Sequence, residues 1–339
     1  MRSFVMIAPG PEFLVLTGFL GSGKTTLLRD FLTRPEAADT AIIVNEVGEI
    51  GLDGALLREV GGDVAMTTLA NGCICCQMGS DLTTTVEALL GTERPGDIPL
   101  ARIVLETSGL SKPGPILRQL ASLAQHRMRV SVLATYDPTR PPEIRDFEEA
   151  AAQWAGAHRI VVTKGDMVSP KRFAAASGEI GEINPLAEIV AEASREPAVS
   201  AAFAPPRPGP VTMPVPIAGK TRPHERLTSL LLRQEDVVAY DDLAAWLDNL
   251  AGFLGERLLR IKGLVRVRES EEPILVQSVG TLFSQPRLYR GGMPGDGGFL
   301  VVIARDAEAG EIGRVEPSLP FSLSRAPGRG GRSLRAEAV

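Results

Sequence analysis

The chain has 339 residues, 44% of them hydrophobic and 23% charged, with a formal net charge of −5. That length exceeds what one hydrophobic core ordinarily organises, so two domains are expected, and the acidic balance argues against a dedicated nucleic-acid binder. No apolar run reaches the ~20 residues of a membrane crossing, and the apolar part of Met1–Phe13 is too short for a signal peptide, so a cytoplasmic location is expected.

In chain order, Phe13–Leu16 is a short apolar run that predicts a buried strand. Gly18 to Gly23 then supplies three glycines and a serine, and Lys24-Thr25-Thr26 opens an amphipathic helix that closes by Arg34. This is G-x-x-x-x-G-K-[ST] in its required setting of strand, loop and helix. Such a loop turns successive backbone N–H groups inward around a polyphosphate, and the helix N-terminus adds partial positive charge there. Gly18, Gly21, Ser22, Gly23 and Thr26 are therefore expected to line a nucleoside triphosphate. Lys24 reaches its β- and γ-phosphates, and the Thr25 hydroxyl ligates Mg²⁺.

Ala41–Asn45 predicts the next strand, followed by the acid- and glycine-rich stretch Glu46–Gly54, a candidate switch in which Glu49 could face a metal. Met66–Leu69 leads into Cys73-Ile74-Cys75-Cys76, which holds all three cysteines of the chain. Three thiols in one cluster do not make a disulfide framework and point to metal or redox chemistry. In an extended segment Cys73 and Cys75 share a face, while Cys76 joins them only if the backbone turns. Two or three thiolates with an incomplete shell make an exchangeable site, with Zn²⁺ the first choice; a redox pair Cys75–Cys76 or inert buried thiols are the alternatives.

Leu82–Leu90 has helical spacing, and the strand Ala101–Leu105 ends in Glu106-Thr107-Ser108-Gly109. An apolar strand ending in an acid is the Walker B arrangement, so Glu106 is expected to serve Mg²⁺ and Gly109 to approach the γ-phosphate. Pro115–Ala124 (helix), Val130–Thr135 (strand), Phe147–Trp154 (helix) and Ile160–Val162 (strand) lead to Thr163-Lys164-Gly165-Asp166. That tetrad has the form of a guanine reader. The Asp166 carboxylate would accept from guanine N1 and N2, and the Lys164 stem would pack over the base; adenine would leave the carboxylate unpaired. Arg172–Ile183 and Leu186–Ala193 add a further helix and strand.

Ala204–Pro216 is dense in proline and reads as a linker. Beyond it, Leu227–Arg233, Leu258–Val267, Pro273–Val279 and Gly298–Ala304 predict strands, and Asp242–Leu254 a helix covering one face of their sheet. The expected architecture is α/β: a P-loop domain with a mostly parallel sheet over residues 13–200, after a tail at 1–12. A linker at 201–225, a small α+β domain at 226–316 and a disordered tail at 317–339 follow. His126, His158 and His224 stand alone and carry no pattern.

The motifs GFLGSGKTT, VNEVGEIGLDG, NGCICC, ETSGLSKPGP and TKGD occur in the order found in the CobW-like P-loop GTPases, and the chain resembles that family over Phe13–Ala193. Leu227–Asp306 resembles the CobW C-terminal domain more weakly, through Arg260-Ile261-Lys262-Gly263. The resemblance implies a GTPase associated with delivery of zinc, or cobalt in some members. It also implies a metal site at Cys73, Cys75 and Cys76 with Glu49 nearby, and a guanine site at Lys164 and Asp166. Thr163 stands where asparagine is commonest, Val47 replaces the usual phenylalanine, and Val44 narrows the carboxylate ligands to Glu46 and Glu49. The histidine-rich stretch of many members is reduced to His224. The expected activity is slow GTP hydrolysis coupled to metal transfer to a client metalloprotein, without membrane or nucleic-acid partners. The alternatives are a P-loop ATPase or small-molecule kinase with passenger cysteines, and a non-enzymatic metal buffer.

Overall fold

The computed structural model describes residues 10–45, 65–69, 79–92, 99–205, 226–291, 293 and 297–325. The candidate switch with Glu46 and Glu49, the cysteine cluster, most of the proline-rich stretch and His224 lie outside the described residues.

Seven parallel strands form the first sheet: β1 (Glu12–Gly18), β2 (Thr40–Asn45), β3 (Ala65–Leu69), β4 (Arg102–Glu106), β5 (Arg129–Tyr136), β6 (Arg159–Val162) and β7 (Glu188–Val190). Their spatial order is β3-β2-β4-β1-β5-β6-β7. Alternate residues of each strand serve opposite faces, and both faces are apolar because helices cover both. On one face Leu14, Leu16, Ile42 and Val104 pack with Leu28, Phe31 and Phe203, from α1 (Lys24–Leu32) and α6 (Arg195–Phe203). On the other, Phe13, Val15, Ile43 and Leu105 meet α2 (Gly79–Gly91), α3 (Pro113–Leu120), α4 (Glu148–Gly156) and α5 (Pro170–Ile183). The helix α6 is absent from the sequence reading and runs to Phe203, past the expected domain end at residue 200. Its Phe203 stacks on Phe31 with ring centroids 4.1 Å apart.

The second sheet is antiparallel, in the order β11-β10-β9-β13-β8-β14 with β12 on β10. Its strands are β8 (Leu227–Gln234), β9 (Leu258–Val265), β10 (Ile274–Val279), β11 (Leu282–Phe283), β12 (Arg287–Leu288), β13 (Phe299–Arg305) and β14 (Phe321–Arg325). One face packs on α7 (Tyr240–Leu254) through Leu230, Leu232, Ile261 and Val302 against Trp246 and Leu250. The opposite face is covered too: Leu231, Leu259, Val301 and Ile303 belong to one core with Trp154 and Ile116 of the first sheet's helices. This explains why Phe299 to Ala304 is apolar throughout rather than alternating.

One expectation is corrected here. Residues 317–339 read as a disordered tail, but Phe321–Arg325 forms a strand paired with β8. Its period-two apolar residues Phe321 and Leu323 pack against the α7 core, with Phe321 6.1 Å from Trp246 between ring centroids. Residues 326–339 lie outside the described residues.

The two sheets are joined by polar contacts as well. Arg260, 1% exposed, reaches from β9 to donate to the Gly156 carbonyl at the C-terminus of α4, at 2.9 Å. A cation there meets the negative end of the helix dipole, and burial still pulls the guanidinium down to about 10. Glu148, at the start of α4, pairs with both Lys112 and Arg305. Close by, His158 accepts a hydrogen bond from the Val132 amide on Nδ1 at 3.1 Å. Desolvation, helped by Arg260 and Lys262, holds the imidazole well below its usual range, hence neutral.

Candidate nucleotide site

The site is built at the C-terminal ends of the central strands. The register aligns Leu16 of β1 with Glu106 of β4, and Gly18 with Thr135 of β5. The loop after β1 therefore falls between the ends of both neighbours, where parallel α/β sheets bind ligands. Gly18, Gly21 and Gly23 all take positive φ, at 147°, 70° and 92°, which lets the loop curl before α1 begins.

Lys24 is 8% exposed and curls back over the loop, donating to the Gly18 carbonyl at 2.8 Å and the Phe19 carbonyl at 3.4 Å. The Thr25 hydroxyl donates to Glu106 Oε1 at 2.5 Å, so two hard oxygen ligands from sequence-distant segments stand side by side. That donor set suits Mg²⁺. Ser22 spends its hydroxyl on Thr135 at 2.6 Å, leaving its backbone for the loop, while Thr26 faces solvent. Gly109 is buried, and its carbonyl accepts from the Gln153 amide at 3.0 Å, as does the Ser111 carbonyl at 2.9 Å. Gln153 sits on α4, so the helix that anchors Arg260 at its end also holds the segment after Glu106.

The TKGD segment docks onto the same loop. Thr163 donates to the Ser22 carbonyl at 2.8 Å, and the Lys164 ammonium to the Gly21 carbonyl at 2.8 Å. Lys164 holds a left-handed conformation with φ 52°, a strained choice for a non-glycine residue. Asp166 is exposed on the short 3-10 turn Gly165–Met167. Behind it, Arg172 ties α5 to the loop after β5 by donating to the Pro138 carbonyl at 3.0 Å and to Glu179 at 2.7 Å. The Tyr136 hydroxyl also donates to Glu179 at 2.5 Å; burial, with that carboxylate beside it, pushes the phenol up to about 12.

Two residues here escaped the sequence reading. Asp137 follows β5 directly, and its carboxylate, with 2% side-chain exposure, accepts from Lys164 Nζ at 2.5 Å. Thr139 donates to the same carboxylate through its amide at 2.9 Å and its hydroxyl at 2.6 Å. These bonds outweigh burial and keep the carboxyl below its usual range. Arg140 stands at the rim of the loop. The signal for both was their position at the end of a strand flanking β1.

The structure thus sets Gly18 to Thr26, Glu106 to Gly109 and Thr163 to Asp166 at the C-terminal ends of β1, β4 and β6, with Thr25 on Glu106 and Lys164 on the Gly21 carbonyl, the arrangement of a P-loop nucleotide-binding protein. The model of the CobW/HypB/UreG nucleotide-binding domain matches residues 12–191, and that of the cobalamin synthesis protein CobW C-terminal domain matches residues 227–315. The chain belongs to this family. It is 30% identical over 282 residues to a protein named zinc chaperone YjiA from Escherichia coli K12, covering 80% of this chain and 86% of that protein. A protein named zinc chaperone CobW from Pseudomonas aeruginosa is 30% identical over 321 residues, covering 80% of this chain and 81% of that one. Among solved structures, Zn(II)-bound YjiA GTPase from E. coli shares the fold, with TM-score 0.61 and 23% identity over 90% of this chain and 97% of that one.

Proposed function

We propose that the chain is a GTP-binding, slowly GTP-hydrolysing metallochaperone that couples nucleotide state to the binding and delivery of zinc to a client metalloprotein. The observation that carries this reading is topological. The cysteine motif follows β3, and the ends of β3, β2, β4 and β1 are consecutive along one edge of the first sheet. β3, which the cysteine motif follows in sequence, thus ends at the same edge of the sheet as the strand that carries the phosphate loop, with the Glu106 strand between them. The zinc chaperone names of the relatives support the choice of metal.

In this reading GTP lies on the loop from Gly18 to Thr26, with Lys24 against its β- and γ-phosphates and Mg²⁺ on Thr25 and Glu106. Asp166 reads guanine. Zinc is the cargo, carried by Cys73, Cys75 and Cys76 with Glu49. The thiolates must be deprotonated to bind, so acid releases the ion; a reducing cytoplasm keeps the thiols free. Intrinsic hydrolysis is slow unless a partner assists, because no motif of the sequence supplies an arginine finger or a catalytic glutamine.

Nucleotide competition tests the guanine assignment. ATP in about 100-fold excess should fail to displace bound GTP, because adenine leaves the Asp166 carboxylate without donors. Asp166→Asn should lose that discrimination. Equal competition by ATP in the wild-type chain would make this a P-loop ATPase or kinase instead.

A further inference from the structure

We propose that Arg140 is a catalytic arginine supplied in cis, turning into the phosphate loop to stabilise charge as the γ-phosphoryl group leaves. The inference rests on the nucleotide reading above and goes beyond it, because no motif contains this residue. Arg140 lies on the loop after β5, one turn beyond Asp137, whose carbonyl accepts from the Arg140 amide at 3.3 Å. Its guanidinium stands at the rim of the phosphate loop: Nη2 is 3.4 Å from the Leu20 carbonyl. A methyl group built on Gly21 would lie 2.6 Å from the same nitrogen. The loop is bare at the point the arginine approaches.

What holds Arg140 there is weak, whereas its base is firm. The Leu20 contact is at the long limit for a hydrogen bond. The Asp137 contact, Nε to Oδ2, is 3.6 Å, and the arginine side chain is 45% exposed. Partly exposed ion pairs of this kind contribute little stability, so the head is available to a better anion. The backbone beneath it is fixed by the Thr139 bonds to Asp137 and by Pro141 after it. Asp137 also grips Lys164, which caps the Gly21 carbonyl, so one buried carboxylate sets two cations on either side of the Gly21 peptide. Asp137 is the positioning residue of the pair.

In the reaction, water oxygen bonds to the γ-phosphorus while the bond from that phosphorus to the β–γ bridging oxygen breaks. The electron pair stays on the GDP oxygen, and the water proton passes to the released phosphate. Charge grows on the bridging and equatorial oxygens, which is where a planar guanidinium acts.

The test measures binding and single-turnover hydrolysis of GTP by the full chain and by Arg140→Ala. Hydrolysis should fall about 100-fold while GTP and GDP affinities stay within about threefold. Wild type with GDP should capture aluminium fluoride, and Arg140→Ala should not. Arg140→Lys should recover only part of the rate, since an ammonium lacks the bidentate fork. Unchanged hydrolysis in Arg140→Ala overturns the proposal, as does a parallel loss of affinity and rate, which would mark a structural prop. Failure of the wild-type chain to bind GTP would refute the nucleotide reading itself, a separate result.

Discussion

Lys24→Ala should abolish GTP binding at micromolar nucleotide while leaving the melting temperature of the apo chain nearly unchanged. Lys24 is almost fully buried, and its ammonium donates to carbonyls of its own loop, at Gly18 and Phe19. In the proposed function those contacts hold the loop around a charge that the polyphosphate would take up. Removing a charge-assisted contact to phosphate in a partly desolvated loop costs about 3–4 kcal/mol, or roughly 100- to 1000-fold in affinity. Fluorescence titration with a labelled guanine nucleotide reads the affinity, and calorimetric melting of the apo protein reads the stability. An affinity within tenfold of wild type would mean that the loop does not grip phosphate through Lys24.

The second large effect is structural. Gly263→Ala should destabilise the chain by about 3 kcal/mol or more. Gly263 lies in β9, opposite Leu300 of β13. A methyl group there would stand 1.9 Å from the Phe299 carbonyl oxygen and 2.8 Å from the Leu300 Cα, both backbone atoms that cannot swing away. The central strand pair must part to admit it, and the same strands pack on the first sheet's helices through Leu259 and Val301. Urea unfolding should show an earlier midpoint, with weakened second-sheet packing reaching α4. A midpoint equal to wild type would show that the two strands separate at no cost.

Much of this was legible in the sequence because the chemistry sits in contiguous motifs. Gly18 to Thr26, Glu106 and Thr163 to Asp166 each announce themselves by local spacing, and parallel-strand order then brings them together. What was hidden depends on tertiary approach. Asp137 and Arg140 belong to no motif and become visible only when β5 is seen to flank β1. Gln153 reads as one residue of an apolar helix, yet its amide holds two carbonyls after Glu106. The buried side of the second sheet was likewise hidden. Period-two patterning cannot say what covers a strand that is apolar on both faces, and here one covering is α7 while the other is the helices of the first sheet. β14 was lost in a Ser-, Pro- and Arg-rich tail because only Phe321 and Leu323 carry its signal.

The proposed function rests on one physical claim: phosphates bound on the loop after β1 and a cargo ion bound by the cysteine motif would share a free energy. Isothermal titration of zinc into the full chain, preloaded with a non-hydrolysable GTP analogue, with GDP, or left empty, measures that term directly. The account predicts zinc affinities that differ between the triphosphate and diphosphate states by about 5- to 150-fold, with the reciprocal shift in nucleotide affinity when zinc is present. Identical zinc affinity in all three states would contradict it.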